Sequence, residues 1–287
     1  MLKRVISIVC SITICLVSTL SAFADETSKT IRVGVIPTVS SVEINKIWKP
    51  VLKYFENRLG IKCRLYTASD YAGIIEAMRF KKIEIAYFGP KSYIEAHRRA
   101  NAWAIIREQK LDGSTGYHSI IITKKGSDLN SLKDLKGKMF AFNDPNSTSG
   151  YLVPMTYFLK EAKIVPEEYF SKVVFSGSHE ASIMAVKTEK VDAASTNDLD
   201  LARVIASGKA SRDDFNIIWK SKIIPGSPIA VRGDLPYGFV MKLKKVFLEI
   251  PVNLLEGLQL KGYVETKDSD YDCIREMKKI KEKLKCE

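Results

Sequence analysis

Three consecutive hydroxyl side chains, Ser147-Thr148-Ser149, are the residues of this 287-residue chain whose types and spacing most clearly suggest chemistry. They stand in Asp144-Pro145-Asn146-Ser147-Thr148-Ser149-Gly150-Tyr151. Lys138-Met139-Phe140-Ala141-Phe142 before them reads as a short strand, and Tyr151 to Leu159 after them as a helix. The hydroxyls therefore fall where a strand ends and a helix begins. A helix start leaves backbone N–H groups unpaired and carries partial positive charge. Such an end suits a small oxyanion, and neighbouring hydroxyls add donors. Ser, Thr and Asn are also the ordinary capping residues, so the weight of the run depends on what faces it.

The remaining polar candidates follow other strands. Thr38 and Ser40 come after Ile31-Arg32-Val33-Gly34-Val35, Tyr71 after Cys63 to Thr67, and Gly89-Pro90-Lys91-Ser92 after Ile83 to Phe88. Ser176-Gly177-Ser178-His179-Glu180 comes after Val173-Val174-Phe175. As a lone histidine after a strand, His179 reads as a hydrogen-bond donor or a structural residue rather than a general base. No Gly-x-Ser-x-Gly elbow, phosphate-loop pattern or dinucleotide fingerprint is present. No carboxylate pair is nominated for acid/base work. His97, His118 and His179 lie far apart and no Cys-x-x-Cys exists, so neither a metal nor a cofactor is expected. The pattern is that of a polar pocket that binds a small anion without chemistry.

The amino terminus is of another kind. Lys3 and Arg4 precede an apolar run from Val5 to Leu20, and Ala22-Phe23-Ala24 has the small-x-small form of a cleavage site. Residues 1–24 read as a secretory signal peptide, so export is expected. Removing it leaves 43 basic residues against 33 acidic ones, a net +10. That balance favours anionic ligands or surfaces. Lys and Arg are interleaved with acids rather than clustered, which argues against nucleic acid. Cys63, Cys273 and Cys286 remain after cleavage, too few for a disulfide scaffold, and the sequence leaves open whether Cys273 pairs with Cys286.

Hydrophobic content of 46% and charged content of 27% are those of a globular protein, and the length suggests two domains. Strands and helices alternate at short intervals, which predicts an α/β fold with mostly parallel sheets. Ligands of such sheets bind at the carboxyl ends of the strands. A helix starting near Ser41 carries Ile44, Ile47, Trp48, Val51, Leu52 and Phe55 on one face and ends at Gly60. A second α/β unit spans roughly 120–215, and the tail from Pro236 reads as mostly helical and returns to the first unit. The expected division is 25–117 with 221–287 as one lobe and 118–220 as the other. Two crossings join them, near 113–120 and 216–228, around a cleft.

Several motifs then carry a resemblance: Asp70-Tyr71-Ala72-Gly73-Ile74-Ile75 with Met78-Arg79-Phe80, and Asp112-Gly113-Ser114-x-Gly116-Tyr117-x-Ser119. The run from Asp144 to Pro154 is the most specific, and Gly177-x-His179-Glu180 and Trp219-Lys220-Ser221-x-x-Ile224-Pro225-Gly226-x-Pro228 add to it. Together they resemble the periplasmic phosphonate-binding proteins of ABC importers, a family of phosphate, phosphite and phosphonate substrate-binding proteins. The resemblance implies the two-lobed type II periplasmic binding fold and a binding protein, not an enzyme. It also implies a monomer that hands a small phosphorus oxyanion to a membrane permease driven by a separate ATPase. The alternative is a sensory protein presenting the same ligand to a membrane kinase. Carried over by residue, the family's pocket falls on Tyr71, Tyr117, Ser147, Thr148 and His179. Family members that bind aminoethylphosphonate hold its ammonium with two acids. One falls here on Ser227, and the other on Leu199 with Asp198 and Asp200 adjacent. Asp198 and Ser227 are therefore the expected specificity positions. Losing the first acid predicts that aminoethylphosphonate is a poor ligand.

Overall fold

A computed structural model describes residues 30–286. The signal segment expected over residues 1–24 lies outside the described residues. The chain opens with β1 (Ile31–Val35), α1 (Ser41–Leu59), β2 (Cys63–Thr67), α2 (Tyr71–Arg79) and β3 (Ile85–Tyr87). It continues through α3 (Pro90–Ala100), β4 (Ala102–Lys110), β5 (Gly116–Tyr117), β6 (Ser119–Lys124) and β7 (Met139–Phe142). A helical run follows, π-helical over Thr148–Leu152, α-helical over Val153–Thr156 (α4) and π-helical again over Tyr157–Ala162. Then come α5 (Pro166–Tyr169), β8 (Lys172–Phe175), α6 (His179–Lys187), β9 (Ala193–Asn197) and α7 (Asp198–Ala206). The chain closes with β10 (Phe215–Lys220), β11 (Ile224–Pro225), β12 (Pro228–Arg232), α8 (Tyr237–Leu248), β13 (Leu260–Glu265) and α9 (Asp272–Cys286).

Two sheets form the lobes. One has strand order β13-β4-β12-β3-β1-β2 and the other β10-β6-β9-β7-β8. β5 and β11 pair between them as a separate two-stranded sheet, Tyr117 opposite Ile224 and Gly116 opposite Pro225. Gly116 is required there, because a Cβ at that position would come within 2.5 Å of the Ile224 carbonyl oxygen. The expectation of mostly parallel sheets needs correction. β1 runs parallel to β2 and β3, and β7 to β8 and β9. However, β12, β4, β13, β6 and β10 all make antiparallel pairs. β4, β6, β10 and β12 flank the two crossings, where the chain enters or leaves a lobe against the direction of its βα units, and β13 adds to the edge of the first sheet beside β4.

α1 shows how sequence pattern becomes packing. Ser40 caps its start by accepting from the Glu43 N–H at 3.4 Å, and Gly60 ends it in the left-handed region at φ 71°. Ile44, Trp48, Val51, Leu52, Phe55 and Leu59 are buried along one face. Each contributes about 1.5–3 kcal/mol of apolar burial. Phe55 meets Phe247 edge-on at 4.4 Å, which ties α1 to α8 in the first core. Phe140, Phe142, Phe158 and Phe170 anchor one face of the second sheet.

Three other element boundaries differ from expectation. The hydroxyl run is already helical from Thr148, with Ser147 rather than Tyr151 at its edge. Ser92, whose position in the sequence reads as the helix cap, instead sits inside the first turn of α3, which begins at Pro90 behind Gly89, and its hydroxyl accepts from the Gly89 N–H at 3.0 Å. The tail read as mostly helical contains β13. Gln259 turns into the left-handed region at φ 54°, and the chain then pairs with β4, burying Leu260 and Tyr263. Cys273 is a free thiol. Position 286 lies thirteen steps further along α9, about 20 Å along the helix, too far for a bridge between them.

Candidate functional site

Polar side chains from both lobes converge on a cavity of about 20 Å³. The first lobe contributes Thr38 after β1, Tyr71 at the start of α2, Tyr87 at the end of β3, and Gly89. The second contributes Ser147, Thr148 and Ser149 after β7, His179 at the start of α6, and Asn197, Leu199, Asp200 and Arg203 around the start of α7. Tyr117 in β5 and Ser227 beside β11 line it from the crossings. Every parallel strand around it thus delivers its residues from the carboxyl end, the position where α/β sheets bind ligands.

Each hydroxyl is held by an internal bond. Ser147 Oγ accepts from the Gly150 N–H at 3.0 Å, the capping contact. Thr148 Oγ1 accepts from the Lys91 backbone N–H at 2.8 Å, a bond that spans the cleft. Ser149 Oγ accepts from Asn197 Nδ2 at 3.2 Å. In each case the oxygen is used as an acceptor while the O–H proton can still be donated. Gly150 makes the tight start possible, because a Cβ there would lie 2.2 Å from the Asn143 Cβ.

Tyr71 is different. It is 1% exposed, and its hydroxyl has no hydrogen-bond partner. Burial, and then the nearby Asp200 carboxylate, push its pKa well above the ordinary tyrosine value, so the group is a donor at any physiological pH. Leaving a buried hydroxyl unpaired costs about 1–3 kcal/mol.

His179 is also buried. Nδ1 lies 3.0 Å from Thr196 Oγ1, and Nε2 lies 3.6 Å from Asp200 Oδ2. Burial lowers its pKa, against the pull of Asp200, and so favours the neutral ring. Asp200 accepts from Asn197 Nδ2 at 2.7 Å and from the Arg203 guanidinium at 3.0 Å. Burial opposes its ionisation, but the Arg203 guanidinium and the Asn197 amide outweigh that and hold its pKa below the usual aspartate value.

The structure brings Tyr71, Tyr117, Ser147, Thr148, His179 and Ser227 together around the cavity. Asp198 is not among the lining residues. It accepts from Lys110 Nζ at 2.9 Å and from the His118 N–H at 2.9 Å, which makes it a tie between a lobe and a crossing. The reason is helical phase. Successive residues on α7 point about 100° apart, so Leu199, Asp200 and Arg203 face the cavity and Asp198 turns away. Ser149, read as part of the hydroxyl run, and Asp200, read as adjacent to the second acid position, were not assigned to the pocket, and sequence reasoning missed Asn197, Arg203 and Tyr87 as lining residues. The Ser-Thr-Ser run and the Asn197 cap position were available signals. Nothing in the local sequence marks Tyr87 or Arg203.

Two lobes of mixed α/β structure joined by a paired-strand crossing, with a polar cavity at their interface, define a two-lobed type II periplasmic binding fold. Residues 33–271 match the family described as ABC transporter, phosphonate, periplasmic substrate-binding protein, and the chain belongs to that family. It is therefore a substrate-binding component of an ABC transporter rather than an enzyme. Among its relatives is the phosphonates-binding periplasmic protein of Escherichia coli K12, 37% identical over 272 residues, covering 91% of this chain and 79% of that one. The crystal structure of a binding protein component of an ABC phosphonate transporter from Pseudomonas aeruginosa superposes with a TM-score of 0.86. It is 32% identical and covers 90% of this chain and 88% of its own. A binding protein of Prochlorococcus marinus MIT 9301, solved with methylphosphonate, superposes with a TM-score of 0.79 at 25% identity. That match covers 87% of this chain and 97% of the other. Among the described residues, no helix is long and apolar enough to cross a membrane.

Proposed function

We propose that this chain, exported by residues 1–24 and acting as a monomer, closes its lobes over a small phosphorus oxyanion. It then presents that ligand to a membrane permease driven by a separate ATPase. The observation that carries the reading is the buried Tyr71 hydroxyl, unpartnered at the edge of a small cavity that Ser147, Thr148 and His179 also line. The phosphorus oxygens would accept from Tyr71, from the Ser147 and Thr148 hydroxyls, from the helix start and from His179. Hydrogen bonds to a charged group contribute about 1.5–3 kcal/mol each, so four or five reach micromolar affinity or better after ordering costs.

Wall chemistry narrows the ligand. At the positions expected to hold an ammonium stand Leu199 and Ser227, neither of which can neutralise a buried cation. Phosphite, phosphate and methylphosphonate fit this description, and methylphosphonate is the ligand in the Prochlorococcus marinus structure. The test is calorimetric titration of the mature chain with these three and with aminoethylphosphonate. At least one of the three is expected to bind at micromolar affinity or tighter. Tight aminoethylphosphonate binding, or none by the other three, overturns the assignment.

A further inference from the structure

The ionic groups around the cavity are unusual for a site that takes an anion. Arg203 is the one permanently charged cation among its lining residues, and four of its five N–H donors are engaged. Nε donates to the Leu258 carbonyl at 2.9 Å, and one terminal nitrogen to Tyr87 Oη at 3.3 Å and Asp200 Oδ1 at 3.0 Å. The other donates to Glu108 Oε1 at 2.6 Å. Two buried carboxylates therefore share one guanidinium, and the neutral ring of His179 adds no charge. A doubly charged ligand would enter a region that already leans negative, where uncompensated charge is costly.

Asp200 is also the one carboxylate among the cavity-lining residues. Oδ1 takes one bond from Arg203 and Oδ2 one from Asn197, and each carboxylate oxygen has two acceptor sites. Capacity for another donor therefore remains. Asp200 is faced by Tyr71 of α2, Tyr87 of β3, His179 of α6, and Asn197 and Arg203 beside it, with Glu108 of β4 beyond the guanidinium.

On the reading that the site holds a phosphorus oxyanion, we propose that it takes the protonated, singly charged form, whose P–OH donates a hydrogen bond to Asp200. The remaining oxygens accept from Tyr71, the hydroxyl run and the helix start. Asp200 is then a specificity-determining residue that rejects fully ionised anions. Sulfate, a dianion of similar shape with no proton to donate, should be excluded.

The test is titration calorimetry of the mature wild-type chain with phosphite, phosphate and methylphosphonate from about pH 6 to about pH 9. Their second ionisations lie near neutral pH and differ from one another. Above each ligand's second ionisation, affinity is expected to fall about tenfold per pH unit. The breakpoint should move with the ligand, and excess sulfate should give no binding heat. A breakpoint at one pH for all three ligands would overturn the proposal, because a protein group would then be titrating. Lys91, which burial pushes down to about 8, is the first such group to suspect. Flat affinity or sulfate binding would also overturn it. Asp200→Asn should flatten the slope and admit sulfate. If that variant does not fold, the wild-type ligand series decides alone. Failure of all three ligands to bind at every pH sinks the oxyanion reading itself, whereas binding without the moving breakpoint sinks only the role of Asp200.

Discussion

The Arg203 guanidinium on the second lobe donates to the Glu108 carboxylate on the first at 2.6 Å, with both side chains buried. This pair is formed across the cleft, so it exists only while the lobes are together. The Leu258 carbonyl and Tyr87, both on the first lobe, hold the same guanidinium. Hinge closure in binding proteins shifts between discrete arrangements, and here a buried charge cluster belongs to one of them.

Glu108→Gln should therefore weaken ligand binding without unfolding either lobe. Arg203 would lose one of its two carboxylates in the closed form, and breaking a buried pair is costly. A loss of about 2–3 kcal/mol corresponds to roughly 30- to 150-fold weaker binding. Calorimetry measures that, and small-angle scattering should show a larger radius of gyration in the presence of ligand. Wild-type affinity in the variant would show that the Arg203–Glu108 pair does not contribute to closure over the ligand.

Replacing Ser147 and Thr148 together by Ala should abolish binding and cost the fold little. Ser147 gives one capping bond, worth about 1 kcal/mol. Thr148 gives one bond to Lys91 across the cleft. Circular dichroism melts should show a modest loss in ligand-free stability, while titration shows no detectable heat. Undiminished affinity would return the run to a plain helix cap.

His179 sets a pH dependence of stability. Its pKa in the folded chain is lowered by burial from an unfolded value of about 6.5. Between those two values the unfolded chain binds the extra proton and the folded chain does not, so stability rises with pH through that window. Acidification below about pH 6.5 should therefore lower the melting temperature. Asp200 acts further down, since its depressed folded pKa gives stability above the unfolded value that is lost as pH falls through the folded one. His179→Gln should flatten the first of these two falls, and a melt series across pH in both proteins checks it.

Because Cys273 is free and position 286 is about 20 Å away along α9, a reductant should leave the melting temperature unchanged. Burial raises the Cys63 thiol to about 12, so it should react slowly with alkylating reagents at neutral pH, in contrast to exposed Cys273. Equal labelling rates for the two would contradict this.

Much of the site could be read from sequence because its residues follow strands in a fixed way. Polar residues after β1, β3, β7 and β8, together with Tyr71 at the start of α2, must meet at one edge once the strands are parallel. Asp198 was misplaced because one residue along a helix changes its direction by about 100°, which neighbouring acids in sequence do not disclose. Glu108 and Arg203 are separated by 95 positions, and neither stands in a motif. Their pairing depends on how the lobes meet, a relationship absent from any local pattern. β13 was lost for a similar reason. Leu260 to Glu265 has weak alternation and becomes a strand by pairing with the edge of β4.

Tyr71→Phe tests the central claim most directly, because it removes one atom that makes no internal hydrogen bond. The ring remains packed, so the ligand-free melting temperature should hold or rise slightly. Affinity for the tightest of phosphite, phosphate and methylphosphonate should fall by about 1.5–3 kcal/mol, roughly 10- to 150-fold. If affinity is unchanged while the fold is intact, the buried hydroxyl does not meet the ligand, and the cavity between the lobes is not the oxyanion site.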